Sequence, residues 1–201
     1  MKTTFSRNKQ GFTLIEILVT ITIMMILAGV IVGGMGFVAD RQARSTAELQ
    51  VALLSRGIDE YRLDMGVHPG AGGPNDFGGN AAAPHGQNSR VLYRALFFEG
   101  WQARNNSDEQ NPTAARTIYV PELDPTNNNQ GWTGPSSSEF PPADSQITDP
   151  WGSQYRYRVG AHAVNPDFDL WSPGRDTNTQ PGAGGNYNYD HRDNRDDIRN
   201  F

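Results

Sequence analysis

The sequence predicts an α+β fold, a long N-terminal α-helix packed on a small antiparallel β-sheet head with long loops. Three observations carry that prediction. Residues 12–39 are apolar apart from Glu16 and a few threonines, an amphipathic stripe follows, and two short runs of period two lie near the C-terminus. A chain of 201 residues has room for one ordinary domain and an appendage.

The first element is the apolar run. Its 28 residues, 12–39, span about 42 Å as a helix, more than the roughly 30 Å hydrocarbon core of a bilayer. It reads as a membrane span. No A-x-A cleavage pattern follows it, which argues against an ordinary secretory signal. Lys2, Arg7 and Lys9 precede it and place its N-terminal end in the cytoplasm, an inference that Arg41 and Arg44 on the far side weaken. Glu16 is the anomaly, because a carboxylate in lipid costs several kcal/mol unless it is paired or protonated. Either it lies near enough to the interface to snorkel, or it has a cation nearby. Cleavage just before Phe12 would create one, a new α-amino group that could meet Glu16 of the next chain in a parallel bundle. Gly29, Gly33, Gly34 and Gly36 mark either a place to bend or a surface for close helix packing.

Past Gly36, residues Ala43, Ala47, Gln50, Leu54, Ile58, Tyr61 and Met65 recur at steps of three and four, with Arg41, Arg44, Glu48, Ser55, Asp59 and Arg62 elsewhere. One continuous helix of about 50 residues is expected, its half at 40–65 packed on the head. Gly66 should cap it in the left-handed conformation, with Pro69 following. The head fills 66–201. Residues 66–87 read as a loop, and a short helix capped by Asn88 or Ser89 carries Val91, Leu92, Ala95, Leu96 and Phe98. Residues 101–148 favour loops, with an extended piece at Thr117–Val120 ended by Pro121. Tyr155, Tyr157 and Val159 alternate with polar neighbours, Phe168 and Leu170 alternate with Asp167, Asp169 and Trp171, and a third strand is expected near Ile198.

Composition removes several functions. The net charge of −5 becomes −8 for a chain that begins at Phe12, since Lys2, Arg7 and Lys9 are lost, so no nucleic-acid partner is expected. Cysteine is absent, which leaves no disulfide and no thiolate for zinc. His68, His85, His162 and His191 share no short metal-ligand spacing and read as surface or turn residues. No nucleophile with a base, phosphate loop or zinc spacing is present, so the chain does not read as an enzyme. A membrane-anchored hydrolase or glycan-binding head built on Trp132 and Trp151 is the reading this removes.

Lys9-Gln10-Gly11-Phe12-Thr13-Leu14-Ile15-Glu16 before a long apolar run resembles the class III signal of type IV pilins and type II secretion pseudopilins. The resemblance implies a leader at 1–11, prepilin peptidase cutting between Gly11 and Phe12, N-methylation of Phe12, and a role for Glu16 in assembly. Tyr61–Pro69, Asp149-Pro150-Trp151-Gly152, Phe168–Asp176 and Asp196–Phe201 are similar to segments of the major type II pseudopilin. Together the similar segments cover roughly half the chain, and a stretch at about 70–145 reads as an insertion that the family lacks. The implied function is a structural subunit that polymerises through its N-terminal helix into a pseudopilus driving protein export. A type IV pilin for adhesion, motility or DNA uptake is the alternative. Implied partners are further copies of the chain, minor pseudopilins, an inner-membrane assembly platform and the peptidase. The implied location is the bacterial inner membrane, single-pass, with a periplasmic head and filament.

The same family ties its C-terminal loop with calcium. The resemblance assigns Asp176 and Asp193 as side-chain ligands and the Pro173 carbonyl as a backbone ligand, with Asp197 nearby. Such a hard cation suits a loop rich in oxygen donors and without cysteine. The alternative is a loop held by ion pairs, because Arg175, Arg192, Arg195 and Arg199 interleave with these aspartates.

Overall fold

The computed structural model describes residues 11–70, 88–105, 117–127, 132–133, 145–159, 163–180 and 187–201. Residues 1–10, most of the loop expected at 66–87, His85 and His162 lie outside them. The chain divides into two compact units, one up to Arg41 and one from Gln42. Helix α1 runs Leu14–Met65, the single long helix that the absence of proline predicts.

In the first unit every described side chain from Phe12 to Ala39 is exposed, and the helix is long and apolar enough to cross a membrane. That much uncovered apolar surface needs lipid or other chains around it. Its polar side chains turn back to the helix: Thr20 and Thr22 donate to the carbonyls of Ile17 and Leu18, each at 2.8 Å. Those bonds satisfy both hydroxyls without water.

In the second unit the expected stripe is the core face. Ala47, Leu54, Ile58 and Tyr61 are buried, joined by Val51. Gln50 is buried too, and accepts from the Tyr155 hydroxyl at 2.6 Å. Gly57 belongs to this face because a Cβ there would run into the Val120 side chain. The helix ends as expected, with Gly66 at φ 75° and its amide on the Arg62 carbonyl at 2.8 Å.

The second helical segment differs from the expectation. Helix α2 (Asn88–Tyr93) passes into a π-helical stretch, Arg94–Phe98, and then into α3 (Glu99–Asn105), so helix replaces the loop expected from residue 101. Ser89 lies inside α2 and is buried, with its hydroxyl 3.5 Å from Gln154 Oε1. The Leu96 carbonyl, within the π-stretch, accepts the amides of Tyr119 at 2.9 Å and Val120 at 3.2 Å. The helix thus holds the extended segment that leads to Pro121, and that tertiary use gives the wider turn a purpose.

Three antiparallel strands follow in the order β1 (Arg156–Val159), β2 (Phe168–Ser172), β3 (Ile198–Arg199). Tyr157 pairs with Leu170, Val159 with Phe168, and Ser172 with Ile198. β1 shows the expected alternation, with Tyr157 and Val159 turned into the core shared with α1 and α2. β2 does not: all five residues are buried. Asp169 is covered because its carboxylate accepts the amides of Val164 at 2.8 Å and Asn165 at 2.9 Å and pairs with Arg158 at 3.4 Å. Trp171 is covered by the Arg158 guanidinium of β1, 5.2 Å from its ring, and by the C-terminal segment, where Tyr187 and Phe201 meet it edge-on. Alternation marks a sheet with one wet face; this strand has none.

Candidate functional site

At the N-terminal end, residues 11–13 are outside helix and Phe12 is 79% exposed. Among the described residues, nothing lies within 4 Å of where a Gly11 side chain would begin. The Gly11–Phe12 bond thus lies outside helix. Thr13 starts the helix. Its backbone amide and hydroxyl reach Glu16 Oε2 at 3.4 and 3.5 Å, while the Glu16 amide donates to Thr13 Oγ1 at 3.3 Å. This is a reciprocal capping box, Thr-x-x-Glu before an apolar run. Neither alternative for Glu16, snorkelling or a nearby cation, includes this contact within its own chain, although Thr-x-x-Glu is a sequence signal for it.

The C-terminal motifs form a second site. Asp149 closes the turn at Pro150 by accepting the amides of Trp151 at 3.1 Å and Ser153 at 2.8 Å on Oδ1. Its other oxygen accepts from the Ser172 hydroxyl at 2.5 Å, and that hydroxyl in turn accepts the Gly174 amide at 3.0 Å. Burial pushes the Asp149 carboxyl up, against the pull of Ser172 and the backbone donors. Gly174 has φ 72°, and a Cβ there would lie 2.5 Å from the Asp196 carbonyl oxygen. The turn at 172–176 is thus pressed against the C-terminal strand approach. Asn200 completes the join: its Oδ1 accepts the Leu170 amide at 2.7 Å and its Nδ2 donates to the Phe168 carbonyl at 3.3 Å. A side chain thereby continues the ladder that the short β3 begins.

The structure distributes the residues expected to hold calcium as follows. Pro173 and Asp197 are buried, Asp193 is half-buried and Asp176 is exposed. Asp176 accepts the Asn178 amide at 2.8 Å, and its own amide donates to Asp196 at 3.1 Å. Thr177 beside it has φ 63°, a conformation that a β-branched residue rarely adopts. Asp193 is engaged elsewhere, by Arg192 Nε at 3.1 Å. Asp197 Oδ2 accepts from Tyr187 at 2.7 Å and Thr179 at 3.1 Å, and Thr179 accepts from Trp171 Nε1 at 3.2 Å. Asp197 Oδ1 is buried and has no hydrogen-bond donor among the described residues. Burial above all, with the nearby charges of Asp196 and Asp176, pushes this carboxyl up to about 7 despite Tyr187 and Thr179.

Part of the donor chemistry around Asp197 suits a hard cation, a buried oxygen without a hydrogen-bond donor near the charges of Asp176 and Asp196, but the Arg156 guanidinium already faces this carboxylate. Convergence is lacking, since no three His, Cys, Asp or Glu side chains among the described residues are placed to hold a metal ion. Of the alternative ion pairs, Arg192 with Asp193 forms, while Arg199 lies over the rings of Tyr187, Tyr189 and Phe201 at 5.2, 4.8 and 5.8 Å. Of the histidines, His68 packs on Phe168 and His191 caps a short 3-10 turn.

Two comparisons with protein families bear on these sites. Residues 6–32 match the prokaryotic N-terminal methylation motif, and residues 106–190 match protein G of the type II secretion system (T2SS). The first match contains Gly11, Phe12, Thr13 and Glu16. The second spans Asp149–Gly152, β1, β2 and Asp176, and it begins within the stretch that reads as an insertion. No curated protein matches the chain.

Proposed function

We propose that the chain, which these matches support as a type II secretion pseudopilin, a structural subunit and not an enzyme, polymerises through its N-terminal helix into a filament that drives protein export. Prepilin peptidase cuts after Gly11, Phe12 is methylated at its new amine, and that amine pairs with Glu16 of a neighbouring copy. The precursor waits in the inner membrane with its leader in the cytoplasm and its head in the periplasm, and minor pseudopilins and an assembly platform join it there. The observation that carries this reading is the uncovered apolar length of α1, which bears one carboxylate in its first turn inside a methylation motif. A soluble head has no use for such a segment; a store of subunits in lipid does.

In this reading calcium ties the C-terminal loop, held by Asp176, Asp193, Asp197 and the Pro173 carbonyl. The buried Asp197 oxygen without a donor supports it, and Asp193 must leave Arg192 to take part. The ion supplies positive charge that offsets the desolvation of Asp197. The match over 106–190 supports secretion over the type IV pilin alternative.

The test is a strain without this chain, complemented by the full-length gene. Exported proteins should accumulate in the periplasm of the deletion strain, and the complementing protein should begin at N-methylated Phe12 by mass spectrometry. Unchanged export, or a mature protein that begins at Met1, would remove the proposal.

A further inference from the structure

We propose that Arg156 is the built-in counter-cation of the C-terminal loop: from β1 it balances the buried carboxylate of Asp197, so that the loop stays seated on the sheet without a metal, and calcium reaches Asp197 only in competition with it. The strand register brings the two groups to one side of the sheet. Arg156 pairs with Trp171 on β2, and Trp171 pairs with Arg199 on β3. Residues paired across strands share a face. That face lies opposite the core, into which Tyr157 and Val159 turn. Trp171 leads from there to Asp197, since its Nε1 donates to the Thr179 hydroxyl and that hydroxyl donates to Asp197 Oδ2.

Each group lacks what the other offers. Asp197 Oδ1 and Arg156 Nε are both buried, and neither has a hydrogen-bond partner among the described residues. Burial weighs most against the Arg156 charge, while Asp197 first and Asp149 next hold it in place. Asp149 has the lesser need of a cation, because the amides of Trp151 and Ser153 and the Ser172 hydroxyl already occupy its two oxygens. The other cations nearby are engaged or face water. Arg158 pairs with Asp169, Arg192 with Asp193, Arg199 lies over three aromatic rings, and Arg175 and Arg195 are exposed. A buried carboxylate is stable with a cation beside it and costly once that cation is removed. A guanidinium carried by a strand supplies that charge permanently. Calcium, with two positive charges, then meets repulsion from Arg156 at the oxygen it needs.

The full-length chain in detergent is compared with Arg156→Gln, Asp197→Asn and the double variant, by tryptophan fluorescence on heating in excess chelator and by calorimetric titration with calcium. Glutamine keeps hydrogen-bond donors and removes the charge; asparagine keeps an acceptor for Tyr187 and Thr179. Without metal, Arg156→Gln should melt about 4 °C or more below the parent, and the same change should cost much less once Asp197 is asparagine. Calcium should bind Arg156→Gln about tenfold or more tightly than the parent, the smallest factor by which a close opposite charge shifts a carboxylate equilibrium. A metal-free melt that Arg156→Gln leaves unchanged, an equal cost in both backgrounds, or an equal calcium affinity overturns the proposal. The calcium comparison rests on the calcium tie proposed above, and the metal-free cycle does not. Calcium binding by neither chain removes that tie and the competition for it, whereas coupling in the metal-free cycle still upholds Arg156 as the counter-cation of Asp197.

Discussion

Replacing Ser172 with alanine tests whether the C-terminal motifs act as one hydrogen-bonded unit. The hydroxyl donates to Asp149 at 2.5 Å and accepts from the Gly174 amide at 3.0 Å, and all three residues are buried. Alanine leaves one oxygen of a buried carboxylate and one buried amide unpaired. Each such group costs about 1–3 kcal/mol, or about 2–6 kcal/mol for the two, so about 3 kcal/mol is a conservative expectation. Asp149 Oδ1 keeps its amide donors from Trp151 and Ser153, so the turn survives and the loss stays local. The assay is thermal unfolding of the unit that begins at Gln42, which has its own core, followed by circular dichroism. For a unit of about 150–250 residues, 1 kcal/mol moves Tm by about 2–4 °C, so the expected drop is about 6–12 °C. Asp149→Ala combined with Ser172→Ala should lose less than the sum of the two single changes. A drop below about 2 °C, or strict additivity, would refute the linkage.

Tyr155→Phe should destabilise the same unit by about 1–3 kcal/mol in urea titration, because the buried Gln50 oxygen loses its 2.6 Å donor; adding Gln50→Leu should recover much of that loss. Calcium chelation should lower the melting temperature of this unit, and an unchanged melt in calorimetry would count against the metal. His68 should titrate by NMR below the ordinary value of 6.5, first because of burial and then because of Arg62. Since its folded pKa lies below the unfolded one, the unfolded chain binds the proton more tightly. Stability from His68 is therefore full above about pH 6.5 and lost as pH falls through the folded value. His68→Phe should flatten that part of the pH–stability curve.

Much of this fold was legible in the sequence because its largest features are periodic. The apolar run, the stripe from Ala47 to Tyr61 and the glycine stop at Gly66 follow from helix geometry, and each is where the spacing put it. What could not be read came from tertiary contacts. The π-stretch at Arg94–Phe98 exists beside a segment more than twenty residues later that bonds to Leu96. The burial of Asp169 and Trp171 depends on Arg158 and on the C-terminal aromatics, which no local pattern in β2 announces. At the N-terminal site Gly11, Phe12 and Glu16 were readable as part of a methylation motif. The pairing of Thr13 with Glu16 was readable too, by its three-residue spacing. At the acidic loop, sequence matching named Asp176, Asp193 and Asp197, whereas the burial of Asp197 and its neighbours Asp196 and Arg156 come from the fold.

The central claim is that Glu16 serves assembly and not insertion or processing. Glu16→Ala in the full-length chain, examined in cells for leader cleavage and for sheared filament, tests it most directly. The account predicts a cleaved, membrane-inserted subunit that forms little or no filament. Filament at the parental level from that cleaved subunit would contradict it.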